Sequence, residues 1–255
     1  MKEELLKVLD NRPLTDPSGQ APVYEMVLGD VTEHMHPGQF VQIALPGKFL
    51  RRPISVCDLK EDPSGPGKWQ LTIIYKVVGQ GTQDLSHYQA GETLSVLTGL
   101  GNGYDLSVSG EAPLLLGGGV GTPPMFLLAR ELIREGKNVR VILGFNHADE
   151  VFYEEEFRAL GAQVKVVTVD GSYGEKGFVT DHLPETITSY YTCGPEPMLR
   201  AVWKTIEAPG QLSFESRMGC GFGACMGCTM KTRDGFKRIC KEGPVLRKEE
   251  ILWET

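Results

Sequence analysis

Leu114-Leu115-Leu116-Gly117-Gly118-Gly119-Val120-Gly121-Thr122-Pro123-Pro124 reads as a short buried strand, a glycine-rich turn and the start of a helix. The helical pattern runs on to about Glu135, with Phe126, Leu127, Ala129 and Leu132 as its buried side. Thr122 is the expected N-cap, and prolines suit the first helical positions. Further strands are expected at 139–144, 164–169 and 190–193, with helices near 150–160 and 196–206. Strands alternating with helices imply a doubly wound parallel sheet, here assigned to residues 109–209.

Backbone N–H groups and the helix dipole at such a turn favour a phosphate. Gly117, Gly118, Gly119, Gly121 and Thr122 are therefore candidate nucleotide contacts. Their order departs from G-x-G-x-x-G, and a glycine turn can also serve helix–strand packing alone. Cys193-Gly194-Pro195-Glu196-Pro197-Met198 ends another strand and opens another helix. Cys193, Gly194 and Pro195 should then lie beside the first turn at the carboxyl edge of the sheet. A thiol there is small and polarisable enough to sit beside a nicotinamide ring; without its neighbours it would read as a buried structural cysteine. The loop at 144–150 carries Asp149 and Glu150 but no arginine or lysine. That favours NAD over NADP, whose 2′-phosphate wants a cation, unless the acids are only solvated.

Upstream, short runs at 23–28, 40–45, 53–59, 71–78 and 93–97 are rich in β-branched and aromatic residues, without a helical period. Residues 1–108 are expected to form a small antiparallel β barrel. Within it, Arg51-Arg52-Pro53-Ile54-Ser55 offers a guanidinium suited to phosphate, or else a solvated strand edge. Lys76-Val77-Val78-Gly79-Gln80-Gly81-Thr82 offers a second phosphate-friendly turn.

Downstream, residues 210–255 hold Cys220, Cys225, Cys228 and Cys240. The C-x4-C-x2-C spacing is the one plant-type ferredoxins use for a [2Fe–2S] cluster. Structural zinc is the rival, although such sites usually pair two separate short knuckles. A segment this poor in apolar residues needs a metal centre to organise it.

The net charge of −7 argues against a nucleic-acid or anionic-membrane partner. The N-terminus MKEELLKVLD lacks the basic start and apolar core of a signal peptide, and glycines and prolines interrupt the most apolar stretch. A soluble, cytoplasmic protein is expected. Clustered cysteines in a reducing compartment bind metal more often than they pair.

In order, these pieces resemble the ferredoxin–NADP reductase superfamily. Arg52-Pro53-Ile54-Ser55 looks like its R-x-Y-S flavin motif, with Ile54 where relatives carry a stacking aromatic. The turn at 117–123 looks like its nucleotide turn, and 193–198 like its C-G-P-x-x-M signature. Glu215-Ser216-Arg217-Met218-Gly219-Cys220-Gly221-Phe222-Gly223-Ala224-Cys225 and Cys240-Lys241-Glu242-Gly243-Pro244-Val245 resemble the electron transfer subunits of type B dihydroorotate dehydrogenases. The resemblance implies FAD held by Arg52, Pro53, Ile54, Ser55, Ile74, Tyr75, Lys76, Gly81 and Thr82, and iron held by the four clustered cysteines. It further implies a heterotetramer, two of each, with an FMN-containing catalytic subunit, and electron delivery to NAD in pyrimidine biosynthesis. A flavin belongs between a one-electron cluster and a hydride acceptor, so no side-chain acid–base pair is needed. Another ferredoxin- or sulfide-linked oxidoreductase subunit, or a zinc-stabilised nucleotide-binding regulator, are the competing readings.

Overall fold

Glu4, Leu6 and Val8 are buried while Glu3, Leu5 and Lys7 are exposed, the period-two pattern of a half-buried strand. This strand, β1 (Lys2–Pro13), is not among the expected ones. Its pattern is masked because a carboxylate holds an inward position and leucines hold outward ones. Glu4 is satisfied there: its Oε1 accepts from Thr32 N at 2.9 Å and Thr32 Oγ1 at 2.6 Å, and its Oε2 from Thr98 Oγ1 at 2.7 Å. The computed structural model describes residues 1–63 and 65–253.

β1 joins β2 (Val23–Val31), β3 (Phe40–Ile43), β4 (Arg52–Glu61), β5 (Trp69–Lys76) and β6 (Thr93–Leu100) in a closed antiparallel barrel, ordered β1-β2-β5-β4-β3-β6. Its interior is filled by Leu6, Met26, Leu28, Val41, Ile43 and Ile73 among others. One short helix, α1 (Gln80–Ser86), interrupts the run of strands. Its seven residues begin in a glycine-containing turn, too short to show a helical period.

The second half is built from β7 (Leu114–Gly118), α2 (Pro123–Arg134), β8 (Arg140–Phe145), α3 (Glu154–Ala159), β9 (Gln163–Thr168), β10 (Glu175–Lys176), β11 (Tyr190–Cys193), α4 (Glu196–Thr205) and β12 (Gly210–Ser213). A hairpin of β13 (Thr229–Thr232) and β14 (Gly235–Arg238) follows, then β15 (Val245–Arg247). The sheet order is β10-β9-β8-β7-β11-β12-β15, parallel except for β15. From β7 the chain winds one way to β8 and later the other way to β11. That reversal is a topological switch point, where a crevice opens at the carboxyl ends. β12 and β15 lie in the stretch where regular sequence patterns fade, and both are strands of this sheet. The cysteine segment is thus pinned at two strands, and Cys228, Ile239 and Cys240 share an apolar cluster with Phe40, Leu100 and Leu246. Among the described residues, no helix is long and apolar enough to cross a membrane.

Polar contacts bind the barrel to the sheet domain. Arg130 of α2 pairs with Asp58 and donates to Leu59 O at 2.8 Å. Tyr153 donates its hydroxyl to Glu25 Oε2 at 2.5 Å, and Arg12 meets the other oxygen of that carboxylate at 2.7 Å. Hydrogen bonds to charged groups contribute about 2 kcal/mol. Tyr153→Phe is therefore expected to lower the melting temperature by roughly 5 °C. Calorimetry showing no shift would mean that this contact does not hold the two halves together.

Candidate functional site

The two turns read from the sequence meet. β7 and β11 are parallel neighbours with Gly117 opposite Cys193. A methyl on Gly121 would fall 2.2 Å from Cys193 O, and one on Gly118 would fall 2.4 Å from Met198 Sδ. Gly117 is equally closed off, by the Thr122 backbone at 2.9 Å, whereas a methyl on Gly119 would meet open space. Gly117 and Gly121 thus let the chain segments approach, while Gly118 and Gly119 line a cleft of about 640 Å³. Lys76, Asn146, Pro195 and Glu215 also line it. Thr122 holds the N-cap position expected for α2, but its backbone is already helical, a short 3-10 turn at Gly119–Gly121 precedes it, and its side chain makes no capping bond. Its hydroxyl is buried without a partner.

Cys193 sits behind the lining of the cleft, almost fully buried. Burial, then the nearby Glu215 carboxylate, push its thiol up to about 12, so it stays protonated and uncharged. Glu215 is an exposed residue of the cleft lining, and partial loss of hydration there raises its carboxyl above the ordinary value. Sequence reading placed it only within the cysteine segment; its position follows from β12 ending beside β11. Glu150 is not merely solvated. It accepts from Asn146 N at 3.0 Å and Asn146 Nδ2 at 2.8 Å, and meets Lys76 Nζ at 3.2 Å, tying the barrel to the 144–150 loop.

At the barrel edge, Arg52 and Gly81 are together: a methyl on Gly81 would fall 2.1 Å from Arg52 Nε. The missing side chain lets the guanidinium lie against the first turn of α1, where N–H groups and a cation suit a phosphate. Thr82 builds that turn rather than offering a free hydroxyl; its Oγ1 accepts from Val78 N at 2.9 Å and donates to Gly79 O at 3.1 Å. Ile54 pairs with Val41 and packs toward the barrel interior, while Pro53 pairs with Gln42 and Ser55 with Phe40 on the opposite face. Tyr75 is turned into the barrel, donating to Asn11 Oδ1 at 2.9 Å, so only its backbone is offered to a ligand. Ile74 and Lys76 point the other way, toward the sheet domain.

The cysteines meet in pairs. Cys220 Sγ accepts from Ala224 N at 3.2 Å and Cys225 N at 3.4 Å, and Cys228 Sγ accepts from Cys240 N at 3.4 Å. Against the desolvation of Cys220, the N–H groups of Cys225 and Phe222 and the Cys225 thiol bring its pKa down to about 6. Burial and then the adjacent Cys228 push Cys240 up to about 12. Left-handed backbone at Gly221, Gly223 and Met226 folds the loop so that N–H groups point at sulfur. Among the described residues, no three His, Cys, Asp or Glu side chains converge on one ion. Two pairs of cysteines, with N–H donors already on the Cys220 and Cys228 sulfurs, fit a two-iron cluster with two cysteines on each iron better than a single zinc.

Residues 215–252 match the model of the iron–sulfur cluster binding domain of dihydroorotate dehydrogenase B, and residues 115–204 match an oxidoreductase NAD-binding domain. A protein from Bacillus pumilus, named the electron transfer subunit of dihydroorotate dehydrogenase B (NAD(+)), is 42% identical over 265 residues, covering 98% of each chain. The chain belongs to this family of electron transfer subunits. Another member, from Fusobacterium nucleatum, is 42% identical over 235 residues, covering 87% of this chain and 88% of its own. Among solved structures, that of an NADH-dependent reduced ferredoxin–NADP oxidoreductase, described for flavin-based electron bifurcation, superposes with a TM-score of 0.84. It is 28% identical, covering 98% of this chain and 90% of that one. A ferredoxin–NADP+ reductase from Neisseria gonorrhoeae, at 16% identity and a TM-score of 0.65, shares the fold.

Proposed function

We infer that the chain carries electrons from a dihydroorotate-oxidising catalytic subunit to NAD+, as the electron transfer subunit of a dihydroorotate dehydrogenase B in pyrimidine biosynthesis. One observation supports this: the cysteine loop begins in the wall of the cleft and packs on the strand beside the one that carries Arg52. It leaves β12 at Glu215, in the wall of the nucleotide cleft, and packs through Gly221 onto Gln42, whose neighbour in register is Pro53. A zinc-bearing regulator has no need of that convergence.

Residues 1–108 would hold FAD, 109–209 NAD, and 210–255 the cluster, with β12 and β15 of the last built into the sheet. Arg52 would bind FAD phosphate against the α1 turn, flanked by Pro53, the Ile54 backbone, Ser55, Ile74, the Tyr75 backbone, Lys76, Gly81 and Thr82. Gly118 and Gly119 would receive the dinucleotide phosphates, with Gly117, Gly121 and Thr122 setting the turn against Cys193, Gly194 and Pro195. The neutral Cys193 thiol excludes water from behind the nicotinamide position without offering a competing charge. Cys220, Cys225, Cys228 and Cys240 would hold iron. When bound, the flavin exchanges single electrons for hydride and the cluster handles single electrons. The partner is an FMN-bearing subunit, two of each per assembly, in the cytoplasm.

Anaerobically prepared protein should contain two iron, two sulfide and one FAD per chain. Colourless protein with zinc and no flavin would overturn the reading. Arg52→Ala should weaken FAD binding by roughly 10- to 100-fold, the worth of charge-assisted hydrogen bonds to phosphate. An unchanged FAD dissociation constant in a fluorescence titration would remove Arg52 from the site.

A further inference from the structure

Gln42 is a buried amide where packing alone gives no reason for one. On β3, Val41 and Ile43 belong to the barrel interior, whereas Phe40 packs with Cys228 and Cys240. Alternation points Gln42 the same way as Phe40, toward the cysteine segment. It is fully buried. Its Nε2 lies 3.9 Å from Met218 Sδ, and a methyl on Gly221 would fall 2.0 Å from that nitrogen and 2.4 Å from Cδ. Gly221 follows Cys220 directly and holds a φ of +79°, so the amide braces the residue that turns the loop. At its other end Oε1 is buried without a partner. A half-satisfied buried carboxamide is costly, and an apolar residue of similar length would fill the space without that cost. On the backbone side, Arg51 Nη1 donates to Gln42 O at 3.4 Å, joining it to the strand that carries Arg52.

We propose that Gln42 is a positioning residue that seats the Cys220 turn on the flavin-side strand and thereby sets the potential of the cluster. The proposal rests on the reading above, that the chain carries FAD and a [2Fe–2S] centre. Its logic is that N–H groups reach the Cys220 sulfur only while Gly221 keeps its place. Hydrogen bonds to sulfur and the polarity of the surrounding shell are what tune such centres. A carboxamide held between β3 and Gly221 controls both.

Gln42→Met removes both polar atoms at nearly constant volume. The test is an anaerobic redox titration of the holoprotein, read by the electron paramagnetic resonance of the reduced cluster, with FAD and iron measured on the same sample. Expected is full cofactor content with the reduction equilibrium displaced about tenfold, or about 59 mV for one electron. An unmoved potential and spectrum at full cofactor content would reduce Gln42 to packing and overturn the proposal. Wild-type protein lacking FAD or iron would instead sink the functional reading, so the two failures are distinct. If the methionine variant does not assemble, Gln42→Asn, which keeps the amide one methylene shorter, decides: a displaced potential sustains the proposal and an unmoved one overturns it.

Discussion

Cys228→Ser is expected to give a chain that retains FAD but loses its iron and sulfide, with electron transfer to the partner falling more than roughly 100-fold. That is the upper end of what removing even an outer-shell partner costs a metal site. The Cys228 side chain lies in the apolar cluster shared by Phe40, Ile239 and Cys240, and its sulfur accepts from Cys240 N. A serine there offers a harder, weaker ligand and leaves a hydroxyl in apolar surroundings. Metal binding in such a small segment is coupled to its folding, so protease sensitivity between β12 and β15 should rise as well. NADH oxidation by an artificial acceptor should fall far less, because the Arg52 strand and the glycine turns are built from other elements. If both activities vanished while FAD was retained, the order cleft, flavin, cluster, partner would be wrong.

Gly121→Ala should be the most damaging single methyl in the nucleotide domain. The added carbon would lie 2.2 Å from Cys193 O, 2.4 Å from Cys193 C and 2.5 Å from Gly194 N. These are backbone atoms at the end of a central strand and of the residue after it, and cannot swing aside. Overpacking of this kind costs about 3 kcal/mol or more, which corresponds to a melting-temperature loss of roughly 10 °C. The relief must come from separating β7 from β11, which widens the cleft at its glycine wall, so KM for NADH should rise more than kcat falls. Gly119→Ala is the control for space: its methyl meets nothing within 4 Å, although a φ of +52° makes it a strained site. A Gly121→Ala protein with wild-type stability and KM would show that the two turns are less tightly joined than described.

The parallel sheet was legible because one strand–turn–helix unit carries its own punctuation, its strand β7 being a leucine run closed by glycines, and because β8, β9 and β11 are short and rich in β-branched or aromatic residues. The cysteine loop was legible from spacing alone. What escaped has definite causes. β1 hides behind Glu4, whose inward position is satisfied by two threonines distant in sequence. β12 and β15 are four and three residues long in a stretch dominated by glycine and cysteine, and only their neighbours make them strands. Thr122 sits at the cap position, but the 3-10 turn before it leaves its backbone helical and its hydroxyl without a capping bond. The run Ile74-Tyr75-Lys76 reads as one contact, yet period two sends Tyr75 inward and its neighbours outward. Gln42 looks like any polar residue on a half-exposed strand until register places it against Gly221.

The most direct test of the central claim is reconstitution. The anaerobic chain is mixed with a dihydroorotate-oxidising FMN subunit, dihydroorotate and NAD+, and NADH formation is followed at its absorption band. NADH formation that requires both subunits, and is lost with Cys228→Ser, is the predicted result. A catalytic subunit that reduces NAD+ equally well without this chain, or a wild-type pair that forms no NADH while each holds its full complement of cofactors, would contradict it.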